Sequence, residues 1–177
     1  MDSAMAVSSA AAWAATVLFP AAMIYAGIAD LLTFKIRNAL VLAVVLAFLV
    51  LAPIAGFGLV EIALSLAVAL AVFIVTFGFF AAGWIGGGDA KLATAAALWF
   101  GWEHALSYFV LAAVLGGALT LALIAFRQVP LPAALACRDA LSRLHAASSG
   151  VPYGAALAAA ALIVFPETGW YAAAVGR

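Results

Sequence analysis

Between Asp2 and Asp30 no residue carries a charge, and the same holds between Arg37 and Glu61, between Glu61 and Asp89, and between His104 and Arg127. Four uncharged runs of this length leave few ways to fold. A bilayer span needs about 20 predominantly apolar residues, and inside lipid the backbone must satisfy its own N–H and C=O groups. The runs lack the strict alternation of barrel strands, so the chain is expected to be all-α and polytopic. Charged residues make up 8% of the sequence, against about 25% in ordinary soluble domains. Water cannot solvate such a surface, but lipid can.

The apolar segments are expected at about Ala10–Ala29, Ala39–Ile54, Leu59–Ala82, Asp89–Gly101, Ala105–Phe126 and Tyr153–Phe165. That is about six transmembrane helices in a single integral-membrane domain, residues 1–177. The fourth is short for a span and needs burial among other helices. The break between the fourth and fifth is read at "WEH", Trp102–His104. A polar, basic stretch from Arg127 to Pro152 separates the last two and reads as amphipathic, lying on anionic lipid. The many alanines are read as compositional bias. The net charge of zero gives no reason to expect nucleic acid as a partner, and a lone Cys137 supports neither an internal disulfide nor a cysteine zinc site.

Lys and Arg collect on cytoplasmic loops. Threading six helices with the N-terminus outside puts Lys35, Arg37, Lys91, Arg127, Arg138 and Arg143 on one side and only Arg177 on the other. That side is read as cytoplasmic. Asp30 and Asp89 fall on it too, at the ends of the first and fourth segments and at one membrane depth. Ionisable groups at membrane depth are functional candidates by default. Each also has a structural reading. Asp89 can be a helix N-cap, and Asp30 can pair with Lys35 or Arg37. The helix dipole disfavours a carboxylate after the first helix and favours one at the start of the fourth.

Two carboxylates held close share a proton. One can then take a proton from water while the other gives one to a carbonyl oxygen or a leaving amine. Gly86, Gly87 and Gly88, directly before Asp89, would let an extended peptide backbone approach. Paired membrane aspartates also serve proton- or cation-coupled transporters, but those place their carboxylates near the midplane. A scaffold subunit is the third reading, and it leaves the glycine–aspartate block without a role. No His/Cys cluster has metal-ligand spacing, so neither a metal nor another cofactor is expected.

The block "GGGDAKLATAAALWFG" carries the Gly-x-Gly-Asp motif of intramembrane aspartic proteases and resembles the corresponding block of type IV prepilin peptidases. Asp30 with the following "LLTFKIRNAL", and the late "VPYGAALAAAAL", resemble two further blocks of that family in the same order. The resemblance implies a bacterial inner-membrane peptidase that cuts the short basic leader from pilin precursors at the cytoplasmic face. Its partners would be the precursor's leader and apolar helix, the lipid bilayer and the pilus assembly machinery. Asp30 and Asp89 would be catalytic, with Gly86–Gly88, Lys91 and Asn38 supporting. Arg37 stands where the family has proline before Asn38. The chain lacks the cysteine-tetrad domain of larger, methylating members, so it resembles the small peptidase-only branch that serves Flp (tight-adherence) pili.

Overall fold

The computed structural model describes residues 2–132, 139–146 and 149–176, and among them the regular structure is helical. In chain order it runs α1 (Asp2–Thr33), α2 (Asn38–Ile54), α3 (Leu59–Ala81), α4 (Gly87–Gln128), α5 (Asp139–His145), α6 (Tyr153–Val164), a 3₁₀ turn (Phe165–Glu167) and α7 (Gly169–Val175). Cys137 and Arg138 lie outside the described residues.

The apolar runs became helices, with two departures. The fourth and fifth expected segments form one helix, α4, interrupted at Gly101 rather than at Trp102–His104. Gly101 has φ 57° and ψ −159°, a left-handed value that glycine adopts without strain. A Cβ there would also lie 3.0 Å from Ser65 Oγ. A straight α4 would run about 63 Å, twice the ~30 Å hydrocarbon core. Instead it folds back, so that Gly87 and Arg127 lie at the same end of the molecule. The second departure is α7, a further helix beyond the last expected segment.

By length and apolar content α1, α3 and α4 can each cross a bilayer, and α6 with α7, bent by 46°, can make a fourth crossing; α2 is shorter. Length and composition therefore give three crossings, or four with the bent pair, and not the six expected. The exposed side chains fit a lipid environment. Along α3, Leu70, Phe73, Ile74, Val75 and Phe77 all face outward, a patch that water would not tolerate on a monomer. This is an all-helical membrane protein.

α6 lies between α1 and α4, while α3 packs along α4, and α2 bridges α1 and α4. The first arm of α4 is the buried one, as its length required: Leu92, Ala93 and Ala95–Phe100 are all in the core. The alanines are not idle composition. Ala12, Ala15 and Ala26 of α1, Ala93, Ala95 and Ala96 of α4, and Ala158, Ala160 and Ala161 of α6 are buried in one cluster. Small side chains let helix backbones approach in lipid, where no hydrophobic drive separates helix from solvent. Toward the far end an aromatic cluster takes over. Trp99 stacks on Phe19 at 4.8 Å and on Trp170 at 4.8 Å, and its indole N–H donates to the Val44 carbonyl at 3.1 Å.

The charges separate by end. Lys35, Arg37, Lys91 and Arg127 sit at the end that carries Asp30 and Asp89, while Glu61, Glu103 and His104 line a cavity at the other, beside Thr168.

Candidate active site

The site begins with the way α1 stops. Asp30 is in the last turn of α1, not after it, and its carbonyl accepts from the Phe34 N–H at 2.8 Å. Phe34 then turns the chain in the left-handed region at φ 54°. That conformation is costly for a bulky side chain and is held only where its surroundings impose it. The turn carries Ile36 back over the site before α2 starts.

Asp30 is 4% exposed. Its partners come from α6. That helix starts after Pro152, which offers no side-chain cap. The Ala155 N–H donates to Asp30 Oδ2 at 3.2 Å, and the Gly154 N–H also faces this carboxylate. Asp30 therefore caps another helix from a distance, answering the free donors that every helix start leaves. The dipole of α1 is not the whole of the field at Asp30. The negative end of α1 is offset by the positive end of α6, so Asp30 does not sit in a purely unfavourable field. Neither Lys35 nor Arg37 forms an ion pair with it among the described residues.

Asp89 arrives by a different route. α3 ends at Ala81, and Gly83, at φ 74°, turns the chain. The N-cap of α4 is Gly86, not Asp89, which lies in the first turn. From there its carboxylate reaches back to the Gly86 N–H and is also faced by the Gly154 N–H. Gly154 is thus shared by both carboxylates.

The glycines matter for what they lack. None of Gly86, Gly87 or Gly88 needs a positive φ. A Cβ on Gly86 would stand 3.0 Å from Asp89 Oδ2, on Gly87 3.1 Å from Phe80, and on Gly88 3.3 Å from Ile36. The bare backbone is one wall of an open cavity of about 580 Å³ that contains both aspartates. Phe34, Ile36, Trp84 and Ile85 make an apolar rim, and Ser149, Gly150, Val151 and Tyr153 close the other side.

Lys91 and Asn38 do not line this cavity. Lys91 Nζ donates to Asn38 Oδ1 at 3.0 Å, a clasp between the starts of α4 and α2 that fixes the turn over the site. Sequence reasoning named these two but missed the larger contribution of α6. Gly154 packs closely against Asp30 itself: a Cβ would lie 2.8 Å from its Oδ2 and 2.6 Å from Ile36 Cδ1. The "VPYG" block, whose glycine is Gly154, was the available signal. The basic stretch is anchored by its first residue. Arg127 donates through Nε to the Leu144 carbonyl at 2.9 Å and through Nη2 to the Gly150 carbonyl, tying the cavity wall to the end of α4.

In this helical membrane protein two carboxylates thus line one open cavity with a bare-backbone wall. The chain belongs to the type IV leader peptidase family, whose family model matches residues 17–121. It is a peptidase acting on prepilin leader peptides at the membrane. The matched residues include α2, α3, Asp30 and Asp89 but stop before α6. Searches of curated proteins and of solved structures return no match.

Proposed function

We propose that the protein is an aspartic endopeptidase in which Asp30 and Asp89 activate water to remove the short basic leader from Flp-type pilin precursors. The observation that carries this reading is that the two aspartates line one cavity and share the Gly154 N–H. One carboxylate accepts a proton from water as its oxygen attacks the scissile carbonyl carbon. The other donates a proton to the carbonyl oxygen. Collapse of the tetrahedral intermediate breaks the C–N bond, and the leaving nitrogen takes up a proton. The glycine wall accommodates the extended leader, and the apolar rim meets the start of the precursor's apolar helix. Mature pilin passes to the assembly machinery. Purified enzyme in excess chelator should still release a mature pilin with a new N-terminus, because the two carboxylates supply both acid and base. Failure to cleave, with proton or cation flux in sealed vesicles, would favour the transporter reading instead.

The same proposal places the cavity at the cytoplasmic face of the bacterial inner membrane, with the N-terminus outside. Counting α4 as two crossings joined at Gly101 supports six, together with α1, α2, α3 and the α6–α7 pair. The basic end would face the cytoplasm. With Cys137 replaced by serine, a cysteine placed by Ser142→Cys should label only from the cytoplasmic side, and Glu103→Cys only from outside. The reverse pattern would invert the orientation.

A further inference from the structure

Ile36 joins the two halves of the site. Its Cβ stands 3.3 Å, and its Cγ1 3.6 Å, from where a Cβ on Gly88 would be, at the start of the helix that carries Asp89. Its other end, Cδ1, stands 2.6 Å from where a Cβ on Gly154 would be, at the start of α6. Oδ2 and Cγ of Asp30 converge on that same point at 2.8 and 2.9 Å. The tip of Ile36 therefore lies beside the carboxyl group that the Ala155 N–H holds. One side chain spans the gap between the starts of α4 and α6, and both helices meet it with bare glycine. Ile36 is branched at Cβ, which limits its χ1. It is half-buried against the core and lines the active-site cavity. The strap that delivers it, residues 34–37, is held at a cost. Phe34 turns it through the left-handed region at φ 54°. Thr33 Oγ1 lies 2.6 Å from the Ala29 carbonyl and 3.3 Å from the Lys35 carbonyl at one end of the strap, and the Lys91–Asn38 hydrogen bond ties the other. A plain link between two helices needs neither the strain nor the ties, and backbone strain of this kind gathers at functional sites.

We propose that Ile36 is a positioning residue, the spacer that fixes the starts of α4 and α6 relative to each other and so holds Asp30 and Asp89 in register. This rests on the reading of the two aspartates as the catalytic pair. Asp89 stands in the first turn of α4, and Asp30 is held by the first turn of α6. Any slip between those two helix starts therefore moves one carboxylate relative to the other. Rate is steeply sensitive to such a slip, by roughly 10²-fold for about 1 Å. Binding of the peptide is spread over the whole cavity and is expected to change less.

The test uses full-length proteins in one detergent, with a peptide spanning a basic pilin leader and its apolar helix as substrate. Ile36→Ala keeps Cβ but removes the atoms that reach Gly154. It should lower kcat about tenfold and leave KM within about twofold of wild type. Ile36→Val removes Cδ1 alone and should lower kcat about threefold in the wild-type background. In a Gly154→Ala background it should do the opposite and raise kcat. Cδ1 is the atom nearest to the added methyl, at 2.6 Å, and its removal lets that methyl move off the Asp30 carboxyl. Opposite signs in the two backgrounds mark a direct coupling and would not come from a general loss of stability. If Ile36→Ala does not fold, the two Ile36→Val measurements decide alone. Wild-type kcat in Ile36→Ala, a raised KM with kcat unchanged, or an equal fall on Ile36→Val in both backgrounds would each overturn the proposal while Asp89→Asn remains inactive. Cleavage by Asp89→Asn at the wild-type rate would instead overturn the catalytic pair, and the proposal with it.

Discussion

Asp30→Asn and Asp89→Asn are each expected to leave a folded protein in the membrane and to abolish processing of a co-expressed pilin precursor. An amide is nearly isosteric with a carboxyl but cannot take or give the proton that the reaction needs. The fall should be at least roughly 10²–10⁴-fold, the usual contribution of one acid or base. The structural cost should be small in both cases. The asparagine oxygen at residue 30 can still accept from the Ala155 N–H, which lies 3.2 Å from Asp30 Oδ2, and Asp89 is only half-buried. Losing both together should add little to losing one, because the two act as a unit. Full processing by either single mutant would reject the pair. Absence of the mutant protein from the membrane would mean that the carboxylate is structural.

Gly154→Ala is expected to damage the site nearly as much, although glycine has no chemistry of its own. The added methyl would meet Ile36 Cδ1 at 2.6 Å, Asp30 Oδ2 at 2.8 Å and Asp30 Cγ at 2.9 Å. Something has to move. The Ile36 tip is flexible, but the carboxylate is held by α6 backbone and has little room. Displacing it also disturbs the N–H groups that Gly154 and Ala155 present. A misplacement of about 1 Å can cost roughly 10²-fold in rate, and overpacking of this kind costs about 1–3 kcal/mol of stability. Gly117→Ala is the control. It lies in the same kind of helical backbone with nothing within 4 Å of a new Cβ, and a helical Gly→Ala change there should stabilise by about 0.4–1 kcal/mol. The comparison is read as cleavage rate and unfolding temperature side by side. Equal cleavage by the two variants would mean that Gly154 does not hold Asp30 in place.

The sequence disclosed the helices because lipid leaves the backbone little choice, and it disclosed Asp30 and Asp89 because carboxylates are rare among such runs. It also carried the "VPYG" entry to α6, though not what that entry touches. The contacts that were missed all join residues far apart in the chain. Asp30 caps a helix that starts at Tyr153, so the dipole of α1 is only part of the field it meets. Arg127 spends its guanidinium on the carbonyls of Leu144 and Gly150, where a count of charges sees only a basic loop. The N-cap of α4 fell at Gly86 because three successive glycines blur the local preference on which such boundaries rest.

The capping of α6 by Asp30 has a consequence for how the molecule is made. Asp30 emerges from the ribosome early and Asp89 later, each on its own helix. The N–H groups that orient Asp30 and face Asp89 come only with residues 154 and 155. Through most of synthesis the two carboxylates therefore stand in a half-built bundle without the backbone that holds them together. Docking of α6 is at once a step of assembly and the step that completes the proposed active site, so a chain arrested before it is expected to carry both aspartates into the membrane and cut nothing.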